Sequence, residues 1–227
     1  MNYSERIREN GFAIIPDVFT PADMDRISAG IEQSSPTRSR AGVRHALRLG
    51  PVAEIANVKA MLDVARGVLG AGAFPFHATL FEKSSDANWL VAWHQDTALP
   101  LRGQVSVPGW GPWSIKEGVD YAHAPAAPLS QVLALRIHLD DSTSDNGPLR
   151  VLPRTHSLGV LSDDQIRGLS AQILPTECLA PKGAVVAMWP LLIHASSKSR
   201  APQPRRVLHI EYAASTEIAA PLKLAIA

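Results

Sequence analysis

The fold is decided by three consecutive runs: Ala184-Val185-Val186-Ala187-Met188-Trp189, then Leu191-Leu192-Ile193-His194-Ala195-Ser196, then Arg206-Val207-Leu208-His209-Ile210-Glu211-Tyr212-Ala213. Each is six to eight residues long, mostly apolar, and bounded by Pro190 or by the polar stretch 197–204. That is strand length, too short for a buried helix. Working outward, further strand-like runs fall at 73–82, 88–94, 131–140, 149–152 and 171–179, separated by Pro, Gly, Asp and Asn turns. Residues 1–70 differ. Thr20-Pro21-Ala22-Asp23 predicts a helix start, with Thr as cap, Pro in the first turn and Asp close behind. Met24, Ile27 and Ile31 follow at helical spacing, and a second helix is expected over 57–68, ended by Gly70. Helices first and many short strands after predict a mainly β chain with flanking α-helices, an α+β small barrel or two-sheet jelly roll. We expect one domain over 1–227, with a helical part at 1–70 and a jelly-roll core at 73–215. Residues 108–128, rich in Pro, Gly and Trp and without periodicity, are expected to be a long binding loop.

Composition narrows the chemistry. In 227 residues, 46% are hydrophobic, 19% charged, and the formal net charge is +1. That supports a buried core and argues against nucleic acid as a partner. No run approaches the roughly 18 apolar residues of a membrane span, so no membrane partner is expected. The N-terminal stretch has no signal-like apolar region and the last three residues carry no peroxisomal address, so a cytoplasmic location is expected. Eight His against one Cys leave any metal site to imidazole and carboxylate, and Cys178 reads as an inert buried thiol.

Two His-x-Asp motifs are candidates: His94-Gln95-Asp96 and His138-Leu139-Asp140. On a strand, residues two apart share a face, so either pair could offer two ligands to one ion. A second His from another strand would complete the two-His, one-carboxylate set of non-haem Fe(II) oxygenases, which leaves coordination positions open. The second motif runs into the turn-like Asp141-Ser142-Thr143-Ser144-Asp145-Asn146-Gly147, where Asp140 reads as a turn residue. His194 ends an apolar run, and Arg205-Arg206 opens the last one. A guanidinium there suits a dicarboxylate. Adjacent strand residues face opposite ways, so one of the two arginines at most points inward, and alternation alone does not choose between them.

The combination of His94-Gln95-Asp96, the run Asp145-Asn146-Gly147-Pro148-Leu149-Arg150-Val151-Leu152-Pro153-Arg154-Thr155-His156, and His194-x-Ser196 with Arg205 resembles the phytanoyl-CoA dioxygenase family. The likeness covers most of the chain, including Gly11-Phe12-Ala13-Ile14-Ile15-Pro16 and the helix after Thr20. It implies a double-stranded β-helix, the cupin-like jelly roll. It also implies an oxygenase that uses Fe(II) and 2-oxoglutarate, with O2 as cosubstrate and ascorbate as an aid in vitro. It implies His94, Asp96 and His194 as the catalytic iron ligands, Arg205 and not Arg206 on the distal carboxylate of 2-oxoglutarate, and Ser196 beside it. Gln95, Trp113 and Lys83 are further candidates at the cosubstrate. The expected activity is hydroxylation of an aliphatic C–H in a small or medium organic molecule, with release of succinate and CO2. The carboxylate of Asp96 favours hydroxylation over halogenation, since related halogenases have a small residue there. The stretch 100–128 is where family members differ most, so no substrate identity comes with the resemblance.

Trp110 and Arg136 are candidate substrate contacts, and Trp89 and Trp93 read as core. His77, His123, His156 and His209 have no partner at a useful spacing and read as core or surface histidines. The segment with Arg38, Arg40, Arg44 and Arg48 reads as a solvated loop. Other readings of the same residues are a desaturase, epimerase or cyclase of natural-product metabolism, a cupin-like metalloenzyme without 2-oxoglutarate, and a non-catalytic binding module.

Overall fold

Strand β13 (Arg205–Ala213) organises the molecule because its two faces have different chemistry. Leu208, Ile210 and Tyr212 point to one side and pack on helices, while Arg205, His209 and Glu211 point to the other and line a cavity. The computed structural model describes residues 2–39, 42–84 and 87–227. In it β13 lies inside a six-stranded antiparallel sheet. The order is β1 (Phe12–Ile15), β11 (Val185–Met188), β8 (Val132–His138), β13, β3 (Phe74–Lys83) and β2 (Gly42–Val43). A second sheet runs β10 (Thr176–Cys178), β9 (Leu149–Val151), β12 (His194–Ser196) and β4 (Val91–His94). The two sheets form a jelly roll and enclose the cavity between them.

Helices cover the outer face of the large sheet. α1 (Tyr3–Asn10), α2 (Pro21–Gln33), α3 (Gly50–Ala56) and α4 (Lys59–Leu69) contribute Ile7, Met24, Ile31, Val52, Ile55, Met61 and Ala65 to one core with Leu80, Leu135, Ile137 and Leu208. Each large aliphatic side chain buried there contributes about 1.5–3 kcal/mol. Tyr212, enclosed in that core, donates its hydroxyl to the Ala56 carbonyl at 2.7 Å, which satisfies its one polar atom. The start of α2 is a capping box, with Thr20 and Asp23 each bonding the other's backbone N–H.

Two expectations are corrected. The run 171–179 is not one strand: α6 (Asp163–Gln172) extends into it, and only Thr176–Cys178 is extended. Ser162 and Gln165 form a second capping box ahead of α6, which packs Ile166 and Leu169 against Trp93 and Ile193 on the outer face of the small sheet. The stretch 108–128 is not structureless. It holds β6 (Trp113–Lys116), β7 (Val119–His123) and the short α5 (Ala126–Leu129). Glu117 and Gly118, with φ of 49° and 79°, make the tight turn between β6 and β7, and β5 (Ala98–Leu101) completes that three-stranded sheet. A final hairpin, β14 (Glu217–Ala219) and β15 (Leu222–Lys223), packs with α5 and β5 around a smaller apolar cluster. Among the described residues no helix is long and apolar enough to cross a membrane.

Candidate active site

His194 on β12 stands directly opposite His94 on β4, so their side chains leave the small sheet on the same side, with ring centroids 4.2 Å apart. Asp96 follows two residues after His94, and its backbone N–H is held by the Pro190 carbonyl at 2.9 Å. One ligand atom from each of His94, Asp96 and His194 lies within 4.8 Å of the others. The Nδ1 of His94 donates to the Ala92 carbonyl, and the Nδ1 of His194 to the Leu192 carbonyl, both at 2.8 Å. A carbonyl only accepts, so the ring proton sits on Nδ1 and the Nε2 lone pairs point inward. Those Nε2 atoms lie 3.4 and 3.3 Å from the two Asp96 oxygens. Lone pairs that close repel unless a cation lies among them, and ligands about 2.1 Å from an ion at right angles sit about 3 Å apart. The donor set and its spacing fit an iron site. Burial alone would raise the Asp96 carboxyl, but without a metal the His194 and His94 rings can take a second proton on Nε2, and as cations they outweigh burial and hold the group well below the ordinary carboxylate range.

One end of the cavity is cationic. Lys83, Arg136 and Arg205 are 1%, 8% and 5% exposed and all line it, as does the triad. Their positions follow from strand register: Lys83 is the partner of Arg205, and Arg136 of His209. Arg205 donates its Nε to the Asn146 carbonyl at 3.1 Å. Lys83 donates to Ser196 Oγ at 2.8 Å and to the Ser197 carbonyl at 2.5 Å, and Ser196 donates onward to the Gly147 carbonyl at 2.8 Å. The Asn146-Gly147 turn therefore aims both the guanidinium and the serine. Gly147 has φ 67°, and a Cβ there would lie 2.3 Å from the Ser197 carbonyl oxygen. Arg136 donates to His209 Nδ1 at 2.8 Å, while its Nε is buried without a partner among the described residues. Burial and the neighbouring Arg205 and Arg136 pull Lys83 down to about 8, and burial with Arg136 pulls Arg205 down to about 10. Three buried cations without an ion-paired carboxylate among the described residues make a site for an anion, and a dicarboxylate such as 2-oxoglutarate fits it.

Other sequence candidates land elsewhere. Gln95 reaches the cavity wall, but its amide is taken up by backbone: Nε2 donates to Gly159 and Leu191 carbonyls, and Oε1 accepts from Leu161. Trp110 and Trp113 do not line the triad's cavity; they pack on the apolar cluster around Leu99, Leu101 and Ala122. The cavity tryptophan is Trp89, which was expected in the core and whose ring centre lies 5.4 Å from Lys83 Nζ. In the second His-x-Asp motif, Asp140 accepts two hydrogen bonds from the Arg206 guanidinium, at 2.9 and 2.8 Å. His138 is enclosed with neither ring nitrogen bonded among the described residues, and burial, then Arg136 and Arg205, pushes it down to about 3. This motif supplies a structural ion pair and a neutral ring. Arg38 pairs with Glu82 at 2.9 Å, Arg44 lines the cavity, and Arg40 lies outside the described residues.

The sequence reading missed the opposite end of the cavity. His77 and His123 line it together with Glu211, Tyr121 and Lys116, and His209, bonded to Arg136, lines the cavity between the two ends, so none of the three is a plain core or surface residue. A partial signal was available: beyond Arg206 the polar residues of the strand, His209 and Glu211, share the phase of Arg205 while Leu208 and Ile210 fill the other.

Three comparisons bear on this arrangement. The phytanoyl-CoA dioxygenase family model matches residues 7–207. An L-proline trans-4-hydroxylase from Streptomyces griseoviridis is 26% identical over 186 residues, which is 70% of this chain; the chain spans about 62% of that relative's length. Solved structures share the fold. AviO1 from Streptomyces viridochromogenes Tue57 has a TM-score of 0.68 at 22% identity, over 93% of both chains. EctD from S. alaskensis with bound Fe has 0.70 at 18%, over 92% of this chain and 75% of that one. The epimerase SnoN, in complex with Fe3+, alpha ketoglutarate and nogalamycin RO, has 0.71 at 16%, over 94% and 83%. With its jelly roll, its His-Asp-His site and a family match over nearly its whole length, the chain belongs to the phytanoyl-CoA dioxygenase family, whose members are 2-oxoglutarate-dependent non-haem iron oxygenases.

Proposed function

We propose that this chain hydroxylates an aliphatic C–H bond of a small organic molecule with Fe(II) and 2-oxoglutarate. The overall change is R–H + O2 + 2-oxoglutarate → R–OH + succinate + CO2. One observation carries the reading: a His94, Asp96, His194 ligand set opens onto the same cavity as three buried cations. When bound, iron and 2-oxoglutarate supply the oxidising power that amino-acid side chains lack.

The chain's own residues hold, orient and enclose. His94, Asp96 and His194 would hold the metal, their rings locked by the Ala92 and Leu192 carbonyls. Arg205 would grip the distal carboxylate of 2-oxoglutarate, with Ser196 beside it and the third proton of Lys83 directed at the same group. Arg136, fixed against His209, would add positive potential midway along the cavity. A proline hydroxylase among the relatives supports a small-molecule substrate.

Turnover under 18O2 tests this reading. With Fe(II), 2-oxoglutarate and ascorbate, one labelled atom should appear in succinate and one in the product. A product lacking the label while succinate carries it would replace hydroxylation by desaturation or epimerisation. Arg205→Met should raise the 2-oxoglutarate requirement by about 10- to 100-fold, the worth of one buried charge-assisted contact. Unchanged affinity in that variant would instead favour a metalloenzyme that does not use the keto acid.

A further inference from the structure

The cavity floor changes sign along its length. In the β3–β13 register Arg205 is paired with Lys83, His209 with Thr79, and Glu211 with His77. Glu211 lies six positions after Arg205, about 20 Å at the strand rise. The cationic end suits 2-oxoglutarate; the Glu211 end has no part in the steps above.

A buried hydrogen-bond chain fixes Glu211. Its Oε2 lies 2.6 Å from His77 Nδ1, His77 Nε2 lies 3.1 Å from the Tyr121 hydroxyl, and that hydroxyl lies 3.0 Å from His45 Nε2. A carboxylate only accepts, so His77 Nδ1 donates to it. The other oxygen, Oε1, accepts no hydrogen bond among the described residues and is not one of the enclosed unpartnered atoms, so it opens onto the cavity that Glu211 lines. Lys116, on β6, lines the same cavity with Nζ 4.5 Å from the centre of the Tyr121 ring. Its ammonium has no hydrogen bond or ion pair among the described residues. It lies within electrostatic reach of both Asp96 and Glu211. A ligand held there shares the cavity with the metal ligands.

An open carboxylate oxygen and an open ammonium at one end of a cavity select for both charges at once. A purely anionic ligand would meet Glu211, and a purely cationic one would meet Lys116. We infer that the substrate is a small zwitterion whose ammonium group docks on Glu211 Oε1 and whose carboxylate docks on Lys116 Nζ. The cavity, about 400 Å³, has to hold this molecule beside 2-oxoglutarate, which limits it to amino-acid size. The inference rests on the oxygenase reading only in calling the zwitterion a substrate. Glu211 and Lys116 are specificity-determining residues in this account, remote from the cosubstrate end.

Calorimetric titration of the twenty proteinogenic α-amino acids tests it, with the protein alone and with protein loaded with Fe(II) and 2-oxoglutarate under nitrogen. Any amino acid that binds is repeated as its N-acetyl and methyl-ester forms, and against Glu211→Gln and Lys116→Met, with binding of 2-oxoglutarate as the folding control. At least one amino acid should bind, and each capped form should bind at least tenfold more weakly. Glu211→Gln should weaken the free amino acid while narrowing its advantage over the N-acetyl form, and Lys116→Met should do the same for the ester. The inference is overturned if no amino acid binds to protein that does bind 2-oxoglutarate, if capped forms bind equally well, or if both variants leave affinity unchanged. Failure of the wild type to bind 2-oxoglutarate would sink the oxygenase reading alone, because the titrations into protein without cosubstrate still decide the zwitterion site.

Discussion

Lys83, enclosed beside two guanidinium groups, loses its proton near pH 8 in the free protein, far below an ordinary lysine. An anion bound at Arg205 reverses that pressure and favours the charged form. The sign follows: below about pH 8 the ammonium is already present, whereas above it binding of 2-oxoglutarate must take up a proton. Affinity should therefore be level below pH 8 and fall by up to about tenfold per pH unit above it. Titrations from pH 7 to 9.5 check this, and Lys83→Met should remove the slope. Gly147 acts on the same end through backbone alone. Gly147→Ala places a Cβ 2.3 Å from the Ser197 carbonyl at a positive φ, so a loss of about 1–3 kcal/mol and weaker 2-oxoglutarate binding are expected by thermal melting and titration.

At the scale of the element, β13 separates fold from function by parity. Arg205 and Arg206 are adjacent, yet Arg205 lines the cavity and Arg206 grips Asp140. Arg206→Met should cost about 1–3 kcal/mol of stability with 2-oxoglutarate affinity kept, and Arg205→Met should do the opposite. Leu208→Ala, on the helix-covered face, should cost about 2–5 kcal/mol in a denaturant titration. This two-sidedness limited what the sequence could say. β8 is buried along its whole length, so Val132 to His138 read as a mostly apolar run in which Arg136 and His138, two apart, betray the inner face. β3, β8, β11 and β13 were legible from composition and length. α6 was missed because a mostly polar surface helix has little apolar periodicity, although Ser162 and Gln165 carried its capping signal. The β6–β7 hairpin was missed because its turn is Glu117-Gly118, outside the Asn-Gly and Asp-Gly pairs that mark such turns.

Over the whole molecule, two sheets bring residues a hundred positions apart to one cavity. His94, Asp96 and His194, the set singled out by the resemblance, are the ones that lie within 4.8 Å of one another. Spacing along the chain could not have paired His94 with His194, because their juxtaposition depends on the register of β4 with β12. Trp110 and Trp113 went the other way: the first was expected at the substrate and the second at the cosubstrate, but both rings pack on an apolar cluster. The far end of the cavity escaped notice because His77, Tyr121 and Glu211 come from three strands and acquire meaning only together. The central claim is that the triad holds iron that consumes 2-oxoglutarate. Succinate formed per chain from added 2-oxoglutarate, measured with Fe(II), O2 and ascorbate in the wild type and in Asp96→Ala, tests it most directly. The account predicts metal-dependent succinate in the wild type and none above background in the variant; equal succinate from both, or none from either, would contradict it.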